Sequence, residues 1–94
     1  MSNYHMPAFS LTWIVPLPES ADEWRWEIHN EKGYRVAAGC AYLTLLSGGI
    51  GYRVVQSWGR GDLGPYLLHG SIARVRQSFA RKVGANYVTI TRKH

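Results

Sequence analysis

The most constraining pattern in the sequence is an alternation of apolar and polar residues that runs into a short turn ending in glycine. Trp24, Trp26 and Ile28 alternate with polar residues, and a second extended run follows Gly33. Alternation with a period of two is typical of strands that bury one face. A short turn with glycine between two such runs predicts a β-hairpin over residues 24–38. The rest of the chain must therefore fit around an antiparallel sheet.

Two other stretches also predict strands. Residues 9–15 alternate in the same way, and the run ends at Pro16 and Pro18, because proline cannot donate a hydrogen bond within a sheet. Residues 86–92 alternate again and predict a last strand near the C-terminus.

Residues 42–57 fit either a helix or a strand. Apolar residues recur every four positions from Leu46 to Trp58, as on one face of a helix, but three glycines would lie inside that helix. Each would cost about 1 kcal/mol. Strands avoid this cost, because Gly48 and Gly49 can form a two-residue turn that requires positive φ. We therefore favour strands. The apolar face of the second one is expected to hold Ile50, Tyr52, Val54 and Trp58.

The C-terminal part predicts one amphipathic helix over residues 71–83. Ser71 is a favourable N-cap, and Gly84 is expected to end the helix in a left-handed conformation. Residues 59–65, with three glycines and a proline, predict the loop that precedes it. The side chains expected to face the sheet form one apolar stripe, namely Ile72, Val75, Phe79 and Val83.

These elements predict an α+β fold, with a single domain over residues 8–94 after a flexible arm at residues 1–7. We expect a mainly antiparallel sheet of about five strands with the helix packed on one face, followed by the last strand. Since one helix covers only one face, the other face is expected to lie open. The aromatic residues expected to meet the helix are Trp24, Trp26, Tyr34 and Tyr52.

Composition excludes several classes of protein. Hydrophobic residues make up 46% of the 94 residues, which is too many for a disordered chain. No apolar run approaches the about 20 residues of a membrane span, and the N-terminus lacks a signal-peptide pattern. The single cysteine, Cys40, excludes an internal disulfide and any cysteine-rich zinc site. We therefore expect a cytoplasmic protein that does not contact membranes.

The sequence contains no recognisable catalytic constellation. The four histidines lack metal-ligand spacing, so we expect neither a metal nor another cofactor. A nucleophile pair of His69 with Cys40 or Ser71 stays open, because such pairs form in space rather than in sequence. Nothing in the sequence favours that pair, and we expect no enzyme.

Charge is distributed unevenly along the chain. Residues 1–47 hold three bases and five acids, for a net charge of −2, whereas residues 48–94 hold eight bases and one acid, for +7. Most of the bases are arginine, whose planar fork suits phosphate. This asymmetry favours an anionic partner for the C-terminal half.

We therefore expect a small non-catalytic binding protein whose Arg-rich C-terminal half contacts nucleic acid or a nucleoprotein complex. The alternative is a small viral or mobile-element protein that inhibits a host complex through protein–protein contacts, since aromatic residues and arginine dominate interface hot spots. A homodimer through the open sheet face also stays open. The expected contact residues are Arg25, Arg35, Arg53, Arg60, Arg74, Arg76, Arg81, Lys82, Arg92 and Lys93.

Overall fold

The computed structural model describes residues 9–14 and 22–86, which form five strands and one helix. Each strand pairs antiparallel with the next along the chain, in the order β1-β2-β3-β4-β5. The predicted α+β class is thereby confirmed. The elements are β1 (Phe9–Ile14), β2 (Glu23–Asn30), β3 (Arg35–Leu46), β4 (Gly49–Gly59), β5 (Tyr66–His69) and α1 (Ile72–Ala85).

Two predictions fall on residues outside the described ranges. These are the flexible arm at residues 1–7 and, beyond Asn86, the last strand predicted for residues 86–92. The fifth strand of the sheet is instead β5, which lies between the loop and the helix and which the sequence analysis did not predict.

The ambiguous segment is confirmed as strand. Strands β3 and β4 form a long hairpin in which Leu46 pairs with Gly49, so the turn consists of Ser47 and Gly48. This is one residue earlier than predicted. Gly48 has a φ of 92°, a conformation that glycine adopts without steric cost.

Helix α1 begins as predicted and ends later. The Ser71 hydroxyl accepts a hydrogen bond from the Arg74 backbone N–H at 3.4 Å. The predicted left-handed end at Gly84 is wrong, because the helix continues to Ala85 and its C-cap is Asn86. The Asn86 backbone N–H donates to the carbonyls of Lys82 and Val83 at 3.1 Å, and its side-chain amide adds a second hydrogen bond to the Lys82 carbonyl at 2.8 Å.

The core lies between α1 and one face of the sheet, with Phe79 at its centre. The Phe79 ring lies 4.8 Å from the Trp26 ring, 5.8 Å from Trp13 and 6.3 Å from Tyr66, measured between centroids. The predicted stripe is confirmed, since Val75, Phe79 and Val83 are buried and Ile72 packs against them. The other buried hydrophobic residues are Trp26, Ile28, Ala37, Ala41, Tyr52, Val54 and Leu63.

One aromatic residue predicted for the core lies elsewhere. Tyr34 is 68% exposed, because it belongs to the β2–β3 turn rather than to the strand that follows. The Asn30 side-chain oxygen holds this turn by accepting hydrogen bonds from the backbone N–H groups of Lys32 and Tyr34. The asparagine closes the turn, as this residue type commonly does through its side chain.

Replacement of Phe79 tests the packing of α1. We expect Phe79→Ala to lower the free energy of unfolding by about 3–5 kcal/mol, because the ring is fully buried among three aromatic residues. Gln77→Ala, on the exposed side of the same helix, is the control and is expected to change it by less than about 0.5 kcal/mol. Chemical denaturation measures both, and equal losses would contradict this orientation of the helix.

Candidate nucleic-acid interface

The sheet face opposite α1 is not covered by any other part of the described chain. No side chain on this face is fully buried, whereas the face that meets α1 supplies the core. We call it the open face. It is not uniformly polar, and its exposed large hydrophobic residues are Ile14, Tyr42, Trp58 and Leu67.

Two arginines lie between these apolar residues. Arg25 lies on β2 between Ile14 of β1 and Cys40 of β3, and Arg53 lies on β4 beside Leu67 of β5. Both arginines are exposed, and neither has a hydrogen bond or ion pair to another described residue. Their donors are thus available to an external acceptor.

Tyr42 and Cys40 form a polar contact in the middle of the open face. The pKa of Tyr42 lies above its ordinary value, chiefly because the phenol is hydrogen-bonded to the Cys40 thiol. Arg53 acts in the opposite direction by favouring the phenolate. A phenol is already neutral at physiological pH, and the raised pKa keeps the Tyr42 hydroxyl protonated further into the alkaline range.

Trp58 also lies on the open face, and its predicted place beside Tyr52 and Val54 is wrong. The pairing of β3 with β4 shifts between Ala38 and Gly39, so that Trp58 pairs with Ala38. One extra residue in β4 forms this bulge, and a one-residue shift moves every later side chain to the other face. Trp58 is therefore 49% exposed instead of buried.

A second bulge places Arg35 next to Trp58. The pairing of β2 with β3 shifts between Ile28 and His29, and His29 pairs with Arg35 on the open face. The Arg35 guanidinium carbon lies 4.5 Å from the centroid of the Trp58 ring. Bulges commonly re-aim side chains near functional sites, and here both occur at the same end of β3.

Glu27 anchors this pair from the neighbouring strand. Its carboxylate lies 3.4 Å from Arg35 Nη1 and 3.6 Å from His29 Nε2. Each contact uses a different oxygen of the carboxylate, which offers about four acceptor sites, so Glu27 keeps capacity to accept further donors. A depression of about 290 Å³ lies beside Glu27, Arg35 and Trp58. Side chains that line it include Arg25, Glu27, Arg35, Ala38, Ser57 and Trp58.

A second basic surface lies on α1, on the other side of the molecule. The helix carries four basic residues and no acid, and Arg74 and Arg81 are exposed on its outer side. Neither of their guanidinium groups has an ion pair within the described chain. They lie seven residues apart and therefore on the same side of the helix.

The other two basic residues of α1 pack against aromatic rings. The Arg76 guanidinium lies 4.4 Å from the Trp24 ring centroid and 5.7 Å from that of Trp13, and Lys82 Nζ lies 4.6 Å from the Tyr66 ring. Such cation–π contacts fix the side chains at the edges of the core. Arg76 and Lys82 are thus less free to meet a ligand than Arg74 and Arg81.

Of the remaining predicted contact residues, the one that the structure describes lies on neither surface. Arg60 is exposed in the loop after β4, and Arg92 and Lys93 lie outside the described residues. Gln56, which the sequence analysis missed, organises this loop. Its side-chain amide donates to the carbonyls of Trp58 and Arg60 at 3.1 and 2.8 Å, and its oxygen accepts from the Leu63 N–H at 2.9 Å. The glutamine thereby holds Leu63 in the core.

The tip of the β3–β4 hairpin carries an exposed apolar patch. Leu45 and Ile50 pair across the two strands and are 81% and 56% exposed, and Leu43 on the same side is 39% exposed. These residues point to the same side of the sheet as the core, but no described element covers them. We call them the hairpin-tip patch. The sequence analysis missed it, since it expected Ile50 to lie in a continuous apolar face.

The nucleophile pairs left open by the sequence are not formed. His69 pairs with Gly51 and Cys40 with Val55, so about 13 Å along β4 separates their positions. The Ser71 hydroxyl is used as the helix cap. Within residues 9–14 and 22–86, no group of three His, Cys, Asp or Glu side chains is placed to hold a metal ion.

None of the helices in the described part of the chain has the length and apolar character needed to cross a membrane. Comparison of the sequence and structure with protein-family models, with curated proteins and with solved structures found no match. What the protein does is therefore inferred from its surfaces.

Removal of the Cys40 thiol tests the polar contact on the open face. We expect Cys40→Ala to lower the pKa of Tyr42 toward its ordinary value, because the hydrogen bond that favours the neutral phenol is lost. NMR titration of the tyrosine ring carbons measures the change. Thr44→Ala, on the same face of β3, keeps the thiol and should leave this pKa unchanged. A Tyr42 pKa that did not respond to Cys40→Ala would contradict the contact.

Proposed function

We propose that the protein is a small, non-catalytic nucleic-acid-binding protein. The observation that carries this proposal is the outer surface of α1, a helix without any acid, where Arg74 and Arg81 are exposed and have no ion pair with another described residue. Surfaces of this kind attract polyanions, and arginine binds phosphate through a planar fork of donors. The two guanidinium groups are rooted about 10.5 Å apart along the helix, far enough to contact different phosphates.

The open face adds a second contact surface of different character. Arg25 and Arg53 supply unpaired positive charge there, and Tyr42 and Trp58 supply exposed aromatic rings. Positively charged grooves with aromatic side chains are the usual means of binding single strands. Contacts of α1 to phosphates would provide affinity without sequence information, in isolation or within a nucleoprotein complex.

The free thiol of Cys40 suits a reducing compartment. We therefore propose the cytoplasm as the location in which the protein meets its ligand.

The salt dependence of binding tests the role of α1. For a labelled oligonucleotide, we expect Arg74→Ala and Arg81→Ala each to flatten the slope of log affinity against log salt by about 0.7 for a single strand or about 0.9 for a duplex, because each removes one phosphate contact. Fluorescence anisotropy at several salt concentrations gives the slope. Gln77→Ala is the matched control, as an uncharged exposed residue between the two arginines. An unchanged slope in both arginine variants would refute the proposal for α1.

A second candidate function is supported by the hairpin-tip patch. Leu45 is 81% exposed and pairs with the exposed Ile50, which is an unusual arrangement for a strand pair that no other element covers. Exposed apolar clusters commonly mark protein–protein contacts. The corresponding function is inhibition of a host complex by a small viral or mobile-element protein.

Substitutions in the hairpin-tip patch separate the two functions. If a protein is the partner, we expect its capture to survive nuclease treatment and moderate salt, and to fall at least about tenfold in a Leu45→Ser, Ile50→Thr variant that leaves α1 unchanged. If nucleic acid is the partner, nuclease abolishes capture and the variant behaves as the unaltered protein. Quantitative pull-down with the Arg74→Ala, Arg81→Ala variant is the reciprocal test, because this variant should lose capture only if nucleic acid is the partner.

A further inference from the structure

We propose that the depression beside Trp58 on the open face binds one unpaired guanine base of a single-stranded nucleic acid. This inference rests on the proposed function and specifies its ligand. It is carried by three features of the same depression: a fixed aromatic ring, a carboxylate with free acceptor capacity and an unpaired guanidinium group.

The aromatic ring is prepared for stacking. Arg35 holds the Trp58 indole at 4.5 Å, and Glu27 in turn holds Arg35 at 3.4 Å. The indole nevertheless remains 49% exposed. A ring that is both fixed and exposed can stack on a planar ligand with little further loss of side-chain freedom. The small side chain of Ala38 leaves room beside it, and the volume of about 290 Å³ accommodates a single base rather than a base pair.

The polar groups around the depression favour guanine over the other bases. Glu27 and Arg25 lie two residues apart on the same face of β2, about 6.8 Å between Cα atoms. The carboxylate only accepts hydrogen bonds and the guanidinium group only donates them. Guanine offers two adjacent donors, N1–H and the N2 amino group, on one edge and two acceptors, O6 and N7, on the next.

The other bases match this pair of groups less well. Thymine and uracil present one N–H between two carbonyl oxygens, which a carboxylate repels. Cytosine and adenine each present an amino group, but the ring nitrogen beside it is an acceptor and also faces the carboxylate. Guanine alone offers Glu27 two neighbouring donors.

The base must come from a single strand. In a duplex, N1–H and the amino group of guanine are used in the base pair, so the edge that Glu27 would accept is not accessible. Arg53, which lies farther along the open face and is unpaired, is placed to contact a phosphate of the same strand. The open face would thus follow a strand, with the depression selecting one of its bases.

Binding of labelled oligonucleotides to the full-length protein tests this inference. The probes are an 11-residue oligothymidine and its counterparts with one central dG, dA, dC or deoxyinosine, compared by fluorescence anisotropy. We expect the dG probe to bind about tenfold more tightly than oligothymidine, and deoxyinosine, which lacks the amino group, to fall between them. We expect Glu27→Gln to remove this preference while oligothymidine binding stays within about twofold. Glu31→Gln, which removes an exposed carboxylate of the β2–β3 turn outside the depression, is the matched control and should keep the preference.

Fluorescence reports on the stacking itself. The dG probe should quench the intrinsic tryptophan fluorescence, and most of this quenching should be lost in Trp58→Phe, because the other described tryptophans lie in or against the core. Equal binding of all probes, quenching that persists in Trp58→Phe, or equally tight binding of a duplex or of guanosine monophosphate would overturn the inference. A dimer in sedimentation that becomes a monomer in Trp58→Ala would also overturn it.

The results distinguish this inference from the proposed function. If all probes bind equally and the salt slope still depends on Arg74 and Arg81, the guanine site is wrong and nucleic-acid binding stands. If no probe binds at any salt concentration, both are wrong.

Discussion

The packing of Phe79 against the sheet determines what the rest of the molecule can present to a partner. Its ring lies among Trp13, Trp26 and Tyr66, which belong to three different strands. Room for the Trp26 indole exists because the residue opposite it is Gly39, where any Cβ would overlap the indole and the Val55 carbonyl. A large ring opposite glycine lets the helix lie close to the sheet. Trp13, Trp26 and Tyr66 lie on the face that packs against Phe79. The open face therefore carries arginines and a few exposed rings.

The two sides of the molecule differ in how their basic residues are held. On α1, packing against rings fixes Arg76 and Lys82, while Arg74 and Arg81 stay free. On the open face, Arg35 is fixed to Trp58 and Glu27, while Arg25 and Arg53 stay free. Each surface thus combines cations that pack against a ring with exposed cations that have no ion pair among the described residues. The cations that are held are those with an aromatic ring on a neighbouring strand or helix.

Local periodicity was sufficient to predict the sheet, the helix and its buried stripe, because each depends on contacts that repeat at a fixed spacing. It failed where one residue breaks the repeat. Alternation predicts Trp58 on the same face as Tyr52 and Val54, and a bulge in β4 moves it to the open face. Gly84 resembles a helix end, but the side chain of Asn86 supplies the cap. β5 has only four residues, too few for a period to be distinguished from a loop.

The bulge in β4 also determines which face of the sheet the side chains after it occupy. Between Val55 and Trp58 the strand contains one residue more than β3 requires. Gln56 and Ser57 together lie opposite Gly39, so loss of either residue would restore regular pairing and leave the tryptophan opposite Ala38 on the open face. Loss of Gln56 would also remove the side chain that ties the following loop to β4, so a change of length here is expected to alter that loop and not the exposed face of the sheet.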